Sequence, residues 1–139
     1  MFLIDANVWI ESHFSLTRGE EANEFLHGVR ASCQHVADIT LHSVGILFRR
    51  HRRLDKWSNW LSDLQLEPPN PIVMLTLHQM AQIPAVAQRW QLDFEDAYLH
   101  VAANEFTLDI VSFDTDFDRT ERGRLTPGQA LAAYRARTP

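Results

Sequence analysis

A single cysteine, Cys33, leaves no partner for an intrachain disulfide and no thiolate set for a metal. Long apolar runs are missing too: no stretch approaches the roughly 20 residues that a membrane-spanning helix needs. Basic residues are outnumbered, 13 Lys and Arg against 18 Asp and Glu, giving a formal charge of −5. That balance argues against a protein that coats nucleic acid through a broad basic face. It leaves room for an enzyme whose site gathers metal, because such a site gathers carboxylates. The opening Phe2-Leu3-Ile4 run lacks the basic region and long apolar region of a secretory leader, so a cytoplasmic location is expected.

What is present suits one domain over residues 1–139. Hydrophobic residues make up 45% and charged residues 22%, with four Trp and eight Phe, enough to bury a core. Four short apolar runs predict strands: Phe2 to Ile4, Val36 to Ile39, Ile72 to Leu75 and Leu108 to Val111. Helical periodicity lies between them. Ala22, Phe25, Leu26 and Val29 share one face, behind a Thr17-Arg18-Gly19-Glu20 capping-box pattern. Leu41, Val44, Leu47 and Phe48 follow Thr40 as a cap, and Leu54, Trp57, Leu61 and Leu64 form another face. Glu67-Pro68-Pro69-Asn70-Pro71 breaks the chain. Thr76 to Gln79 repeats the capping-box pattern, and Pro84 must kink or divide the helix behind it. Asp93 opens a helix carrying Phe94, Ala97, Tyr98, Val101 and Ala102, and Pro127 starts a last one. Strands alternating with helices imply a parallel sheet covered on both faces, with sites beyond the strands' carboxyl ends.

The acids fall at those ends. Asp5 closes the first strand, Asp114 and Asp116 follow the fourth, and Asp96 lies in the first turn of the helix before it. Converging carboxylates repel one another, and a hard divalent ion relieves the repulsion. Such an ion activates water and stabilises charge on a phosphate, so phosphodiester hydrolysis is the natural chemistry. Each acid also has a plain structural role open to it. Asp5 can end a strand in a turn, Asp93 and Asp96 can be two halves of a helix cap, and Asp114, Asp116 and Asp118 can make turn bonds. The Asp114-Thr115-Asp116-Phe117-Asp118 spacing is not a calcium loop, since Arg119 stands where glycine is required and Leu125 where glutamate is.

Three blocks carry a family resemblance. Leu3-Ile4-Asp5-Ala6-Asn7-Val8 resembles the opening of PIN domains, including VapC-type ribonuclease toxins. Leu92-Asp93-Phe94-Glu95-Asp96-Ala97 is similar to their central acidic motif, and Ile110 to Phe117 to their last strand and acidic loop. The resemblance implies an α/β fold, a three-layer α/β/α sandwich with a short parallel sheet. It implies Mg²⁺- or Mn²⁺-dependent cleavage of single-stranded RNA by the toxin of a toxin–antitoxin pair. Carried over, Asp5, Asp96 and Asp114 are the expected metal ligands, Asp116 joins them in catalysis, and Asn7 braces Asp5. An antitoxin partner and a homodimer are implied as well, with Phe48, Trp57 and Trp60 offering apolar surface.

One position departs from the pattern. Where the family has a Glu early in the helix after the second strand, this chain has Ser43, as in a subgroup that lacks the acid. Asp38 or Glu95 would have to make up that charge. His42 is a candidate to touch a phosphate or a water, although a capping or partly buried role suits it better. Arg119 and Arg122, just past the acidic loop, are candidate contacts to an RNA backbone, and the Arg49–Arg53 run is a second basic patch. Two functions therefore compete: a metal-dependent endoribonuclease, and a catalytically weak PIN-like module that binds RNA or a protein. A phosphotransfer domain fits poorly, because Asp5-Ala6-Asn7 lacks the paired acid.

Overall fold

A computed structural model describes residues 1–137; Thr138 and Pro139, the end of the expected domain, lie outside the described residues. Strands and helices follow in the order β1 (Phe2–Ile4), α1 (Ala6–His13), α2 (Gly19–Gly28), β2 (Gln34–Ala37), α3 (Asp38–Arg50), α4 (Leu54–Asp63) and β3 (Ile72–Val73). Then come α5 (Leu77–Met80), α6 (Ile83–Trp90), α7 (Phe94–Phe106), β4 (Asp109–Val111), a 3-10 turn (Thr115–Arg119) and α8 (Pro127–Arg137). The sheet is parallel, in the order β3-β2-β1-β4. Register pairs Leu3 with His35 on one side and with Ile110 on the other.

Side-chain alternation along the strands builds the three layers. Phe2, Ile4, Val36 and Val111 point into a core shared with α1, α2, α3, α4 and α8, where Phe25, Phe48 and Trp60 pack. Leu3, Ala37, Val73 and Ile110 point the other way, against α6 and α7. The expected α/β/α sandwich is the observed architecture. Because β2 and β4 flank β1, the chain reverses its direction of winding at the β1–β4 pair, and the crevice beyond their carboxyl ends is the natural ligand position.

Several local expectations change. α1 was not legible, because Val8, Trp9 and Ile10 form a β-branched and aromatic run that favours no helical face. The Thr17 capping box does not form. Instead α2 begins after Arg18, whose amide donates to the buried Glu11 carboxylate at 2.9 Å. Thr40 is not a cap either: α3 is already helical from Asp38, whose carboxylate accepts the Ile39 amide at 2.8 Å. The Thr76–Gln79 box is present, and Pro84 sits in the first turn of α6, separating it from α5. Phe94 is 64% exposed rather than buried, since the inward direction at the start of α7 belongs to Asp96. Phe48 and Trp60 are core residues and cannot supply an apolar surface for a homodimer; Trp57 is half-buried, its indole donating to the Leu41 carbonyl.

Candidate active site at the β1–β4 crevice

Chain geometry delivers four acids to one place. Asp5 leaves β1 and its amide extends the ladder by donating to the Val111 carbonyl at 3.0 Å. Asp114 leaves the neighbouring β4 and accepts the Asp116 amide at 2.8 Å, which turns the chain tightly so that Asp116 faces the same side. Phe117, fully buried in the core cluster that includes Leu3, Leu99 and Ile110, pins this turn to the core. Asp96 arrives from α7, started by the Asp93 side chain accepting the Asp96 amide at 2.8 Å. Asp93 thus takes the capping role and frees the Asp96 carboxylate to point inward. Carboxylate oxygens of Asp96, Asp114 and Asp116 lie within 4.8 Å of one another.

Asp5 stands behind that group, held by a small network. Ser112 donates its hydroxyl to Asp5 Oδ2 at 2.6 Å and accepts the Asp114 amide at 2.9 Å. Asn7 donates to the same Asp5 oxygen at 2.8 Å and to Ser112 Oγ at 3.0 Å, while its own oxygen accepts the Phe113 amide at 3.1 Å. The expected bracing by Asn7 is present. Ser112 had no role assigned from the sequence, yet it ties β1 to the acidic loop. Its only sequence signal is a hydroxyl directly after an apolar strand.

Burial and mutual repulsion shape the electrostatics. Desolvation, with the charges of Asp5, Asp93, Asp114 and Asp116 adding to it, pushes Asp96 from its ordinary 3.8 up to about 8. Burial likewise pushes Asp5 up to about 7, with Glu95 and Asp114 adding and the Ser112 hydrogen bond opposing. Both acids therefore hold protons near neutrality unless a cation takes their place. The donor set is all carboxylate oxygen, which suits a hard divalent ion such as Mg²⁺ or Mn²⁺.

The other candidates are placed as follows. Ser43 reaches the site's edge and donates to Glu95 Oε2 at 2.6 Å. His42 is exposed, lining a groove between α3 and α4 with Leu41, Ile46 and Trp57. Arg119 lies beside the acids, but its guanidinium is engaged by Asp116 at 2.8 Å and by the Trp90 carbonyl at 3.0 Å. Arg122 donates to the Leu108 carbonyl at 2.7 Å and to Asn104 at 2.8 Å, at the amino end of β4, opposite the acids. A cation that the sequence did not single out stands over the residue before Asp114: Arg18 lies 4.3 Å from the Phe113 ring centroid and pairs with Glu11 at 2.9 Å.

Because Phe117 anchors the turn that carries Asp114 and Asp116, Phe117→Ala is expected to cost about 3–5 kcal/mol of stability. Urea denaturation checks it: the midpoint falls while the slope stays constant. An unchanged midpoint would show that the loop is held by its hydrogen bonds alone.

A family model described as the PIN domain matches residues 2–123. No curated protein matches the sequence at a significant level. Among solved structures, a toxin–antitoxin complex from Klebsiella pneumoniae is 22% identical with a TM-score of 0.69, over 91% of this chain and 98% of that one. FitAcB from Neisseria gonorrhoeae is 18% identical with a TM-score of 0.71, over 91% and 98%. VapC20 of Mycobacterium tuberculosis, a sarcin-ricin loop cleaving toxin, is 15% identical with a TM-score of 0.72, over 91% and 100%. At these identities the likeness is one of fold.

Proposed function

The chain belongs to the PIN-domain family, and on that premise we propose that it is a divalent-metal-dependent endoribonuclease hydrolysing single-stranded RNA, the toxin of a toxin–antitoxin pair. The observation that carries this is the convergence of Asp96, Asp114 and Asp116 within 4.8 Å, with Asp5 buried behind them. Asp96, Asp114 and Asp116 would hold Mg²⁺ or Mn²⁺, with Asp5 as the buried acid completing the charge. A cation there supplies Lewis-acid activation of water and neutralises charge developing on the phosphate. The protein's own groups do the remaining work. Ser112 and Asn7 fix the Asp5 carboxylate, and Asp93 fixes the first turn of α7 so that Asp96 needs no rearrangement. Arg18, half-exposed and stacked on Phe113 beside the acidic loop, would meet a phosphate backbone by leaving its pairing with Glu11.

The solved toxin–antitoxin complex from Klebsiella pneumoniae, which has the same fold, supports an antitoxin partner. No helix among the described residues is long and apolar enough to cross a membrane, which is in keeping with a cytoplasmic protein acting on RNA. A homodimer fits the fold, although its surface has to come from residues other than Phe48 and Trp60.

Two observations favour the second function, a weak or inactive module that binds RNA or a protein: Ser43 carries no charge, and Arg119 ties down one Asp116 oxygen. Incubating purified protein with single-stranded RNA and with single-stranded DNA, with and without Mn²⁺, separates the two. RNA cleavage that requires Mn²⁺ and stops in EDTA is the expected result. Cleavage that continues in EDTA contradicts the metal site. Absence of cleavage with retained RNA or partner binding establishes the second function.

A further inference from the structure

Ser43 and Glu95 are 52 residues apart in sequence, yet the Ser43 hydroxyl donates to Glu95 Oε2 at 2.6 Å. The other Glu95 carboxylate oxygen, Oε1, is buried without a hydrogen-bond partner among the described residues. Glu95 lies in the first turn of α7, directly before Asp96. A carboxylate with one buried, unpartnered oxygen beside a second carboxylate is an expensive arrangement in a metal-free protein. It becomes favourable when a cation lies nearby. As a helix-surface residue, Glu95 had a cheaper choice: turning its carboxylate into water, as the neighbouring Phe94 turns its ring. The short hydrogen bond from Ser43 holds it in instead.

Asp38, the other acid able to supply this charge, is committed elsewhere. Its Oδ1 accepts the Tyr98 hydroxyl at 2.6 Å and the Ile39 amide at 2.8 Å, and Tyr98 in turn accepts the Leu75 amide at 2.9 Å. That network joins α3, α7 and the segment after β3, and it spends Asp38 Oδ1 on structure. Of the two acids, Glu95 is the one whose unpartnered oxygen is buried among the described residues.

We propose that Glu95, held inward by the Ser43 hydroxyl, is a working carboxylate of the cation site, supplying from α7 the negative charge that Ser43 does not supply from α3. The inference deepens the nuclease function and rests on it. Ser43 is a positioning residue here: it acts through Glu95 and needs no charge of its own. Glu95 and Asp96 are consecutive residues of the first turn of α7.

Calorimetric titration of the metal-free protein with Mn²⁺ tests this without relying on activity, with melting curves verifying that each variant is folded. Glu95→Gln keeps the shape and the Ser43 contact but removes the charge, and is expected to weaken Mn²⁺ binding by about 10-fold or more. Ser43→Ala frees the Glu95 side chain and is expected to weaken it several-fold. The double variant S43E/E95Q moves the charge to α3 and is expected to recover binding to within about threefold of the starting protein. Glu95→Gln binding Mn²⁺ as tightly as the original overturns the proposal, as does a double variant no better than Glu95→Gln alone. Either result, with the original protein still binding Mn²⁺, leaves the nuclease function standing. An original protein that does not bind Mn²⁺ removes both.

Discussion

Asp96→Asn is expected to lower Mn²⁺-dependent RNA cleavage by at least about 100-fold, beyond the range for outer partners of a metal site. The same substitution is expected to raise the melting temperature of the metal-free protein at pH 8 by about 5 °C. Opposite signs on function and stability follow from one cause. Asp96 is buried among the charges of Asp5, Asp93, Asp114 and Asp116, and burial is the largest contribution to its raised pKa. An amide has the same shape, carries no charge, and donates hydrogen bonds to the carboxylates it faces. It therefore relieves the metal-free fold and weakens its hold on a cation. Cleavage assays and calorimetric melting on the same preparations check both halves. A variant that loses activity and also melts lower would mark the Asp96 carboxylate as a stabilising group of the fold rather than part of a cation site.

A second large effect is expected in the pH dependence of the metal-free fold. Unfolded Asp titrates near 3.8, whereas Asp5 is raised to about 7 and Asp96 to about 8 in the folded protein. Between those values the folded state binds protons that the unfolded state has released. Stability therefore falls with rising pH across the window from about 4 to about 8, and is flat on either side as far as these groups are concerned. The two acids interact, so they titrate as a pair. Allowing for their coupling and for solvent at the open side of the site, the loss is on the order of 3 kcal/mol, or about 10 °C in melting temperature. Saturating Mn²⁺ at pH 8 is expected to reverse it, since a ligand that binds only the folded state stabilises that state by mass action. A melting temperature unchanged by pH and by Mn²⁺ would show that the acids are more solvated than their burial indicates.

How much of this was legible beforehand differs from residue to residue. The four strands were readable from short apolar runs, although β2 lies two residues earlier than expected because Asp38 and Ile39 open α3, and their alternation with helices indicated a parallel sheet with two covered faces. Asp5, Asp96, Asp114 and Asp116 were readable as a group because each stands at the end of a strand or the start of a helix. Asp93 and Gln79 were readable as caps because capping depends on neighbours within a few residues. By contrast, Thr17 and Thr40 carried the same local signals and formed no caps. Contacts from elsewhere overrode them: buried Glu11 took the Arg18 amide, and Asp38, held by the Tyr98 hydroxyl, opens α3 ahead of Thr40. Arg119 and Arg122 were well placed in sequence for a phosphate, but their guanidinium groups are occupied by carbonyls and side chains from other segments.

By itself, then, the amino-acid order determined which residues alternate, which carry charge, and at which strand ends the acids emerge, because these depend on spacing along one chain. It did not determine which oxygens meet. The Ser112 link between β1 and β4, the grouping of Asp116 with Asp96 and Asp114, and the pairing of Ser43 with Glu95 all join segments far apart in sequence. Only packing the helices onto both faces of the sheet brings those atoms within hydrogen-bond and metal-ligand distance. Hydrogen bonds and charge repulsion act over a few ångströms of space, whatever the separation along the chain.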